Sequence, residues 1–130
     1  YLISAALTLI MAQRLARKTC LDCRIIDENI TPKLLNSVGF LPEQSARAKI
    51  YKGGGCDVCS GSGYKGRMGI YEILEIESEL KAGILSNLQQ NELNAIAKKN
   101  GFRTMQDMGQ EMLLSGDLSF AEYERVLQSN

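Results

Sequence analysis

Histidine and tryptophan are absent from these 130 residues, proline occurs twice and phenylalanine three times. Without histidine, no side chain titrates near neutrality at its ordinary pKa, and Ser-His-Asp or other histidine acid–base chemistry is excluded within the chain. Net charge is missing as well, because fifteen basic residues balance fifteen acidic ones. No global field therefore points toward nucleic acid or acidic lipid, and no basic–aromatic run suits the stacking of bases. A membrane-length apolar run is also lacking. The apolar stretch over residues 1–12 is closed by Gln13 and Arg14, short of the roughly 20 residues that a spanning helix needs. It has no methionine start and no charged n-region, so it reads as a helix cut from the interior of a larger protein. The length suits one modest domain or two small lobes.

What is present is cysteine in a pattern. The four cysteines stand as Cys20-Leu21-Asp22-Cys23 and Cys56-Asp57-Val58-Cys59, separated by 32 residues. A C-x-x-C step lets two thiolates reach one cation from a single tight turn, and two such knuckles supply a tetrahedral site with Zn–S distances of about 2.3 Å. Glycines 53–55 precede the second pair, and Gly61, Gly63 and Gly66 follow it. Glycine allows left-handed backbone and close approach of N–H groups to sulfur. Disulfides would suit a secreted chain, but no signal peptide is evident and the cysteine usage fits a reducing, cytosolic compartment. A redox C-x-x-C stands beside a βαβ pattern, which is missing. An iron–sulfur or rubredoxin-like iron centre uses the same ligands and stays open. A closed four-thiolate shell leaves no position for water, so the metal is expected to be structural.

The remaining pattern is mostly helical. Leu2, Ala5, Ala6, Leu9, Ala12, Leu15 and Ala16 recur at three and four residues, predicting one helix to about residue 18 with basic residues at its end. Thr31-Pro32 caps and opens a short helix that Gly39 stops; residues 41–47 read as a loop or turn, and 50–52 as a short strand. Residues 67–76 are β-rich, with Glu72 and Glu75 outward. Ser78 is expected to cap a helix over 79–87, a second helix spans 91–99, and Thr104 with Asp107 and Ser119 with Glu122 form capping boxes for two more. Met105, Met108 and Met112 are expected to fill core gaps. The G-x-G-x-x-G of residues 61–66 follows a metal knuckle and precedes a strand, the wrong context for a dinucleotide site. It is no P-loop either, since Arg67-Met68 stands where Lys-Ser/Thr is required. The expected fold is α+β and mostly helical: an N-terminal helix within 1–19, a tetracysteine zinc-binding lobe with short strands over 20–77, and a bundle of about four helices over 78–130.

Ala12-Gln13-Arg14-Leu15-Ala16-Arg17-Lys18-x-Cys20-x-x-Cys23 and Gly55-Cys56-x-x-Cys59-x-Gly61-x-Gly63-Tyr64-Lys65-Gly66-Arg67-x-Gly69-Ile70-Tyr71-Glu72 resemble the C-terminal region of the type II secretion and type IV pilus assembly ATPases. Gly101-Phe102-Arg103-Thr104-Met105, and Gly116 followed by Ser119-Phe120-Ala121-Glu122, are similar to that family's tail. The resemblance covers essentially the whole chain, and the tetracysteine motif is typical of the extension ATPases rather than the retraction ATPases. It implies a fragment of a RecA-like homohexamer, cytoplasmic and peripheral to the bacterial inner membrane, docked on an inner-membrane platform protein without inserting. Such motors hydrolyse ATP with Mg²⁺ to assemble pilin or pseudopilin subunits, and bind no nucleic acid. The family's Walker A lysine, Walker B acid, acidic box and histidine box lie upstream of this region, and none is in this sequence. The chain by itself is thus expected neither to bind nor to hydrolyse ATP, with Cys20, Cys23, Cys56 and Cys59 as zinc ligands and no catalytic or nucleotide-binding residue; the sequence leaves open whether Arg14 and Arg17 face the nucleotide domain or a subunit interface. The alternatives are a zinc-ribbon nucleic-acid binder, against which the neutral charge stands, and a rubredoxin-like electron carrier, which would require iron.

Overall fold

The computed structural model describes residues 2–128. Tyr1, the first residue of the apolar run, and residues 129–130 at the end of the helical tail lie outside the described residues. The architecture is mixed α+β, in the order α1 (Leu2–Ala6), β1 (Leu9–Thr19), β2 (Arg24–Ile26), α2 (Pro32–Ser37), α3 (Pro42–Arg47), β3 (Tyr51–Gly53), β4 (Tyr64–Glu75), α4 (Ser78–Leu85), α5 (Gln90–Lys99), α6 (Met105–Ser115) and α7 (Phe120–Tyr123). A π-helical turn over Glu124–Gln128 follows α7. Two sheets form, each of two strands: β1 with β4, and β2 with β3. Hydrogen bonds from Ile76 N to the Thr8 carbonyl and from Cys20 N to the Gly63 carbonyl bracket the β1–β4 pair and give it an antiparallel sense.

The N-terminal helix is therefore only five residues long, and the expected continuation to residue 18 is a strand. Leu, Ala, Gln, Arg and Lys all favour helix, but propensity is a weak prior that pairing overrides. The β-rich segment β4 offers a full row of backbone donors and acceptors, and β1 satisfies them. The apolar spacing did not mark burial either: Leu9 and Leu15 are 48% and 56% exposed.

The chain divides into two compact units, Tyr1–Gln13 with Tyr71–Met105, and Arg14–Ile70 with Gln106–Asn130. In the first unit Ile76, Leu80, Ala97 and Met105 are buried, and the buried Ser4 hydroxyl donates to the Lys81 carbonyl at 3.5 Å. Glu72, expected to face out, is half-buried and accepts the Met105 N–H at 3.1 Å. Ser78 does not cap α4; Glu77 holds the cap position and Ser78 is the first helical residue. At α5 the Glu92 carboxylate turns back to accept the Gln89 N–H at 2.8 Å, satisfying one of the orphan donors of a helix start.

In the second unit β2 and β3 pair antiparallel in the register Arg24↔Gly53, Ile25↔Lys52, Ile26↔Tyr51. Thr31 caps α2 as its sequence signal requires, accepting the Leu34 N–H at 3.2 Å. Residues 42–47, expected as loop, form α3, because Pro42 occupies the first turn and Gln44 accepts the Leu41 N–H at 3.1 Å. The core gathers Ala16, Leu35, Phe40, Ile50, Ile70, Leu113, Leu118, Phe120 and Tyr123. A Cβ on the buried Gly109 of α6 would lie 2.4 Å from Leu127 and 2.9 Å from Tyr123, so helix α6 and the final turn pack at glycine distance. Among the three methionines of the α6 stripe, Met105 is buried and the other two are half-buried.

Candidate metal centre

The first knuckle is the turn between β1 and β2. Cys20, fully buried at the end of β1, donates its N–H to Gly63 at 2.9 Å, and the Cys23 carbonyl accepts from Gly54 N at 3.0 Å. The second knuckle follows β3. Gly61 N donates to the Cys56 carbonyl at 2.8 Å, closing the turn that returns Cys59 toward Cys56. Gly53 and Gly63 bring the two stretches together: a Cβ on Gly53 would sit 2.0 Å from the Gly63 carbonyl oxygen, and Gly63 itself has φ of +81°. Side chains at either position would push the knuckles apart.

This folding converges four sulfurs from residues 20–59. Cys20 and Cys56 Sγ are 3.8 Å apart, Cys23 and Cys59 3.8 Å, Cys56 and Cys59 3.7 Å, and all four lie within 4.8 Å of one another. A disulfide requires about 2.05 Å, so these are free thiols. Around a cation with bonds of about 2.3 Å, tetrahedral sulfurs would be separated by about 3.8 Å. The donor set thus fits, and the four cysteines could hold one metal ion.

Backbone N–H groups point at the sulfurs. Gly55 N donates to Cys23 Sγ at 3.3 Å, while Cys56 N and Gly63 N each donate to Cys59 Sγ at 3.2 Å. Burial pushes the Cys23 thiol up to about 12; the Gly55 N–H opposes this, and hydrogen bonds with the other three cysteines add to it. The same burial acts on Cys59, but two N–H donors and the thiols of Cys56 and Cys23 outweigh it and bring the group down to about 6. A site in which Cys59 readily becomes an anion while Cys23 holds its proton could take a divalent cation that displaces that proton. The glycine run from Gly61 leads straight into β4, a strand where a dinucleotide fingerprint would open a helix.

A buried carboxylate in the same unit went unread as anything but a cap. Ser119 does cap α7, accepting the Glu122 N–H at 3.2 Å. The Glu122 side chain, fully buried, instead accepts the Arg17 N–H at 2.6 Å, the Arg17 Nη2 at 3.0 Å, and Arg125 Nε and Nη2 at 2.6 and 2.7 Å. Burial alone would raise its pKa, but the hydrogen bonds from Arg125 and Arg17 hold it at about 2. Arg14 donates to the Val126 carbonyl. Both arginines of the Ala12–Lys18 motif are thus engaged with the C-terminal residues of this unit. The only local signal was Arg125 three residues after Glu122.

Residues 1–125 match the family described as Type II/IV secretion system protein. The chain belongs to that family. It is 34% identical to the type IV pilus assembly ATPase PilB of Thermus thermophilus over 120 residues, which cover 92% of this chain and 13% of that protein. It is 36% identical to PilB of Pseudomonas aeruginosa over 124 residues, 95% of this chain and 22% of that one. A putative type II secretion system protein E of Escherichia coli is 33% identical over 126 residues, 97% and 25%. The chain therefore spans a quarter or less of the length of these relatives. No helix among the described residues is long and apolar enough to cross a membrane.

Proposed function

We propose that this chain is a non-catalytic C-terminal region of a hexameric secretion or pilus-assembly ATPase, and that Cys20, Cys23, Cys56 and Cys59 bind one structural zinc ion. The observation that carries the reading is the meeting of four thiols at tetrahedral spacing within a chain of the secretion family. With every ligand position taken by sulfur, the metal would organise the knuckles and activate no water. Gly55, Cys56 and Gly63 N–H groups would stabilise the thiolates of the bound state. ATP and Mg²⁺ belong to the longer protein, since the chain has no Walker lysine and no histidine. Neighbouring subunits of a homohexamer and an inner-membrane platform protein, on the cytoplasmic side, are the partners in this reading; names of relatives as pilus assembly ATPases support it. Elemental analysis of protein purified without added metal tests the centre: about one zinc per chain is expected. Iron in its place would favour an electron carrier, and no metal in reduced protein would refute the site.

A further inference from the structure

We propose that the unpaired edge of β2 pairs antiparallel with the same edge of a second copy of this chain, with Ile26 at the two-fold axis and Arg24 of each copy against Glu28 of the other. Among the described residues β2 has a single neighbouring strand, β3. Gly54 N donates to the Cys23 carbonyl, and Asp27 N to the Ile50 carbonyl. In an antiparallel ladder, residues bonded to the neighbour alternate with residues whose backbone groups face away. Ile25 therefore bonds Lys52, and the N–H and carbonyl groups of Arg24 and Ile26 point out from the pair. No bond outside that ladder engages the Arg24 or Ile26 N–H among the described residues. All three residues of β2 are exposed, Ile25 and Ile26 by 51% and 48%. An open groove of about 610 Å³ lies here, lined by Arg24, Ile25, Ile26 and Glu28 on one side and by Tyr51 and Lys52 on the other.

The charges at the ends of this edge choose its occupant. Arg24 and Glu28 flank Ile26 symmetrically, two residues to either side, and carry opposite signs. An antiparallel copy with Ile26 opposite Ile26 makes two attractive Arg24–Glu28 pairs. A parallel copy would set arginine against arginine and glutamate against glutamate, which is destabilising. Neither side chain already has a counter-charge. Glu28 makes no ion pair among the described residues, and the Arg24 guanidinium lies 4.9 Å over the Tyr51 ring and donates to the Ser115 carbonyl at 3.4 Å, with no carboxylate beside it. Asp27, between them, is taken by Lys52 of the same copy at 3.8 Å. An acidic segment laid on this edge would answer Arg24 and be repelled by Glu28, whereas a second copy answers both. Strand edges that avoid one another carry proline, bulges or charges of one sign; this edge has a regular register and no proline. Strands this short bury less than the roughly 1,200 Å² of ordinary specific interfaces, so the association is weak and depends on concentration. Being two-fold, the contact is distinct from the head-to-tail contacts that close a ring, and its failure would leave the hexamer reading standing.

Sedimentation velocity of the purified chain from roughly 10 μM to 1 mM, the range in which so small a contact fills, should show a monomer–dimer equilibrium. Amide exchange at Arg24 and Ile26 should slow as the dimer fills, while Ile25 and Asp27, already bonded to β3, change little. Arg24→Glu and Glu28→Arg each turn two attractive pairs into repulsive ones and should weaken the dimer about tenfold. Mixing the two variants in equal amounts restores both pairs and should return dimerisation to the parent's level. That rescue separates charge pairing from misfolding. Glu28→Arg should melt as the parent does, because Glu28 makes no side-chain hydrogen bond or ion pair among the described residues. If Arg24→Glu melts early, Glu28→Arg and the amide pattern decide the question. The proposal is overturned by a chain that stays monomeric to roughly 1 mM, or by a dimer that Glu28→Arg leaves intact. It is equally overturned by folded variants that mixing does not rescue, or by a dimer in which the Arg24 and Ile26 amides exchange as freely as in the monomer.

Discussion

Replacing Glu122 by glutamine keeps the shape of a fully buried side chain and removes its charge. The carboxyl titrates at about 2 in the fold against 4.5 when free. At about 1.4 kcal/mol per pKa unit, that gap sets a ceiling near 3 kcal/mol on the charge-dependent stabilisation. Water bathes half of each arginine partner and takes back part of what the pair loses, so about 2 kcal/mol is expected. In a chain of this size that corresponds to a melting temperature lower by roughly 6–8 °C. The pH dependence carries the sharper signature. Between pH 4.5 and 2 the unfolded carboxyl binds a proton that the folded one does not. Glu122 therefore contributes fully above about pH 4.5, and its contribution fades as pH falls toward 2. Urea unfolding of both proteins from pH 7 down to pH 3 measures the difference. Acid also strips metal from thiolates, but it does so in parent and variant alike, so the difference between them isolates Glu122. The reasoning fails if the variant unfolds within about 0.5 kcal/mol of the parent at pH 7, the scatter expected of neutral surface changes, or if the difference does not shrink with acid.

Cys56→Ser should release the metal and abolish amide protection over residues 20–26 and 51–63, while α4 and α5 stay protected; hydrogen exchange that leaves the first two segments unchanged would show that metal does not hold the lobe. Gly63→Ala should cost more than about 1 kcal/mol, because φ is +81° and the new Cβ would meet the Gly53 carbonyl oxygen at 2.8 Å. It should also weaken zinc in a chelator competition, and parental affinity would argue that the two backbones need not touch. The chain should release no phosphate from ATP in the presence of Mg²⁺, and turnover surviving purification to homogeneity would contradict the absence of Walker chemistry.

The candidate metal centre was legible in the sequence because its information is local: a C-x-x-C step writes its turn into four consecutive residues. The Thr31 cap and the glycine that ends α2 were legible for the same reason. What the sequence concealed was decided at long range. Residues 9–19 carry helix-forming side chains at helical spacing, yet strand pairing with β4, more than forty residues downstream, sets their backbone. Glu122 looks like the fourth member of a capping box, and Ser119 does cap the helix. The carboxylate goes instead to an arginine 105 positions away, which no window of sequence contains. The helix over residues 42–47, read as a loop or turn, opens on Pro42 as a first-turn residue.

The pairing of β2 with β3 has a consequence for how this part of the chain can change. Arg24–Ile26 and Tyr51–Gly53 form a short stem, closed at its far end by Asp27 N donating to the Ile50 carbonyl at 2.7 Å. Both metal knuckles attach on the near side of that stem, and everything over residues 28–49, including α2 and α3, lies beyond it. Insertions there that spare the core residues Leu35 and Phe40 enlarge a closed loop without moving the four sulfurs. Each doubling of loop length costs only about 0.6 kcal/mol in closure entropy. Related chains are thus free to vary in length between the second and third cysteines, where the geometry of the centre is indifferent, and are held to fixed spacing within each knuckle, where it is not.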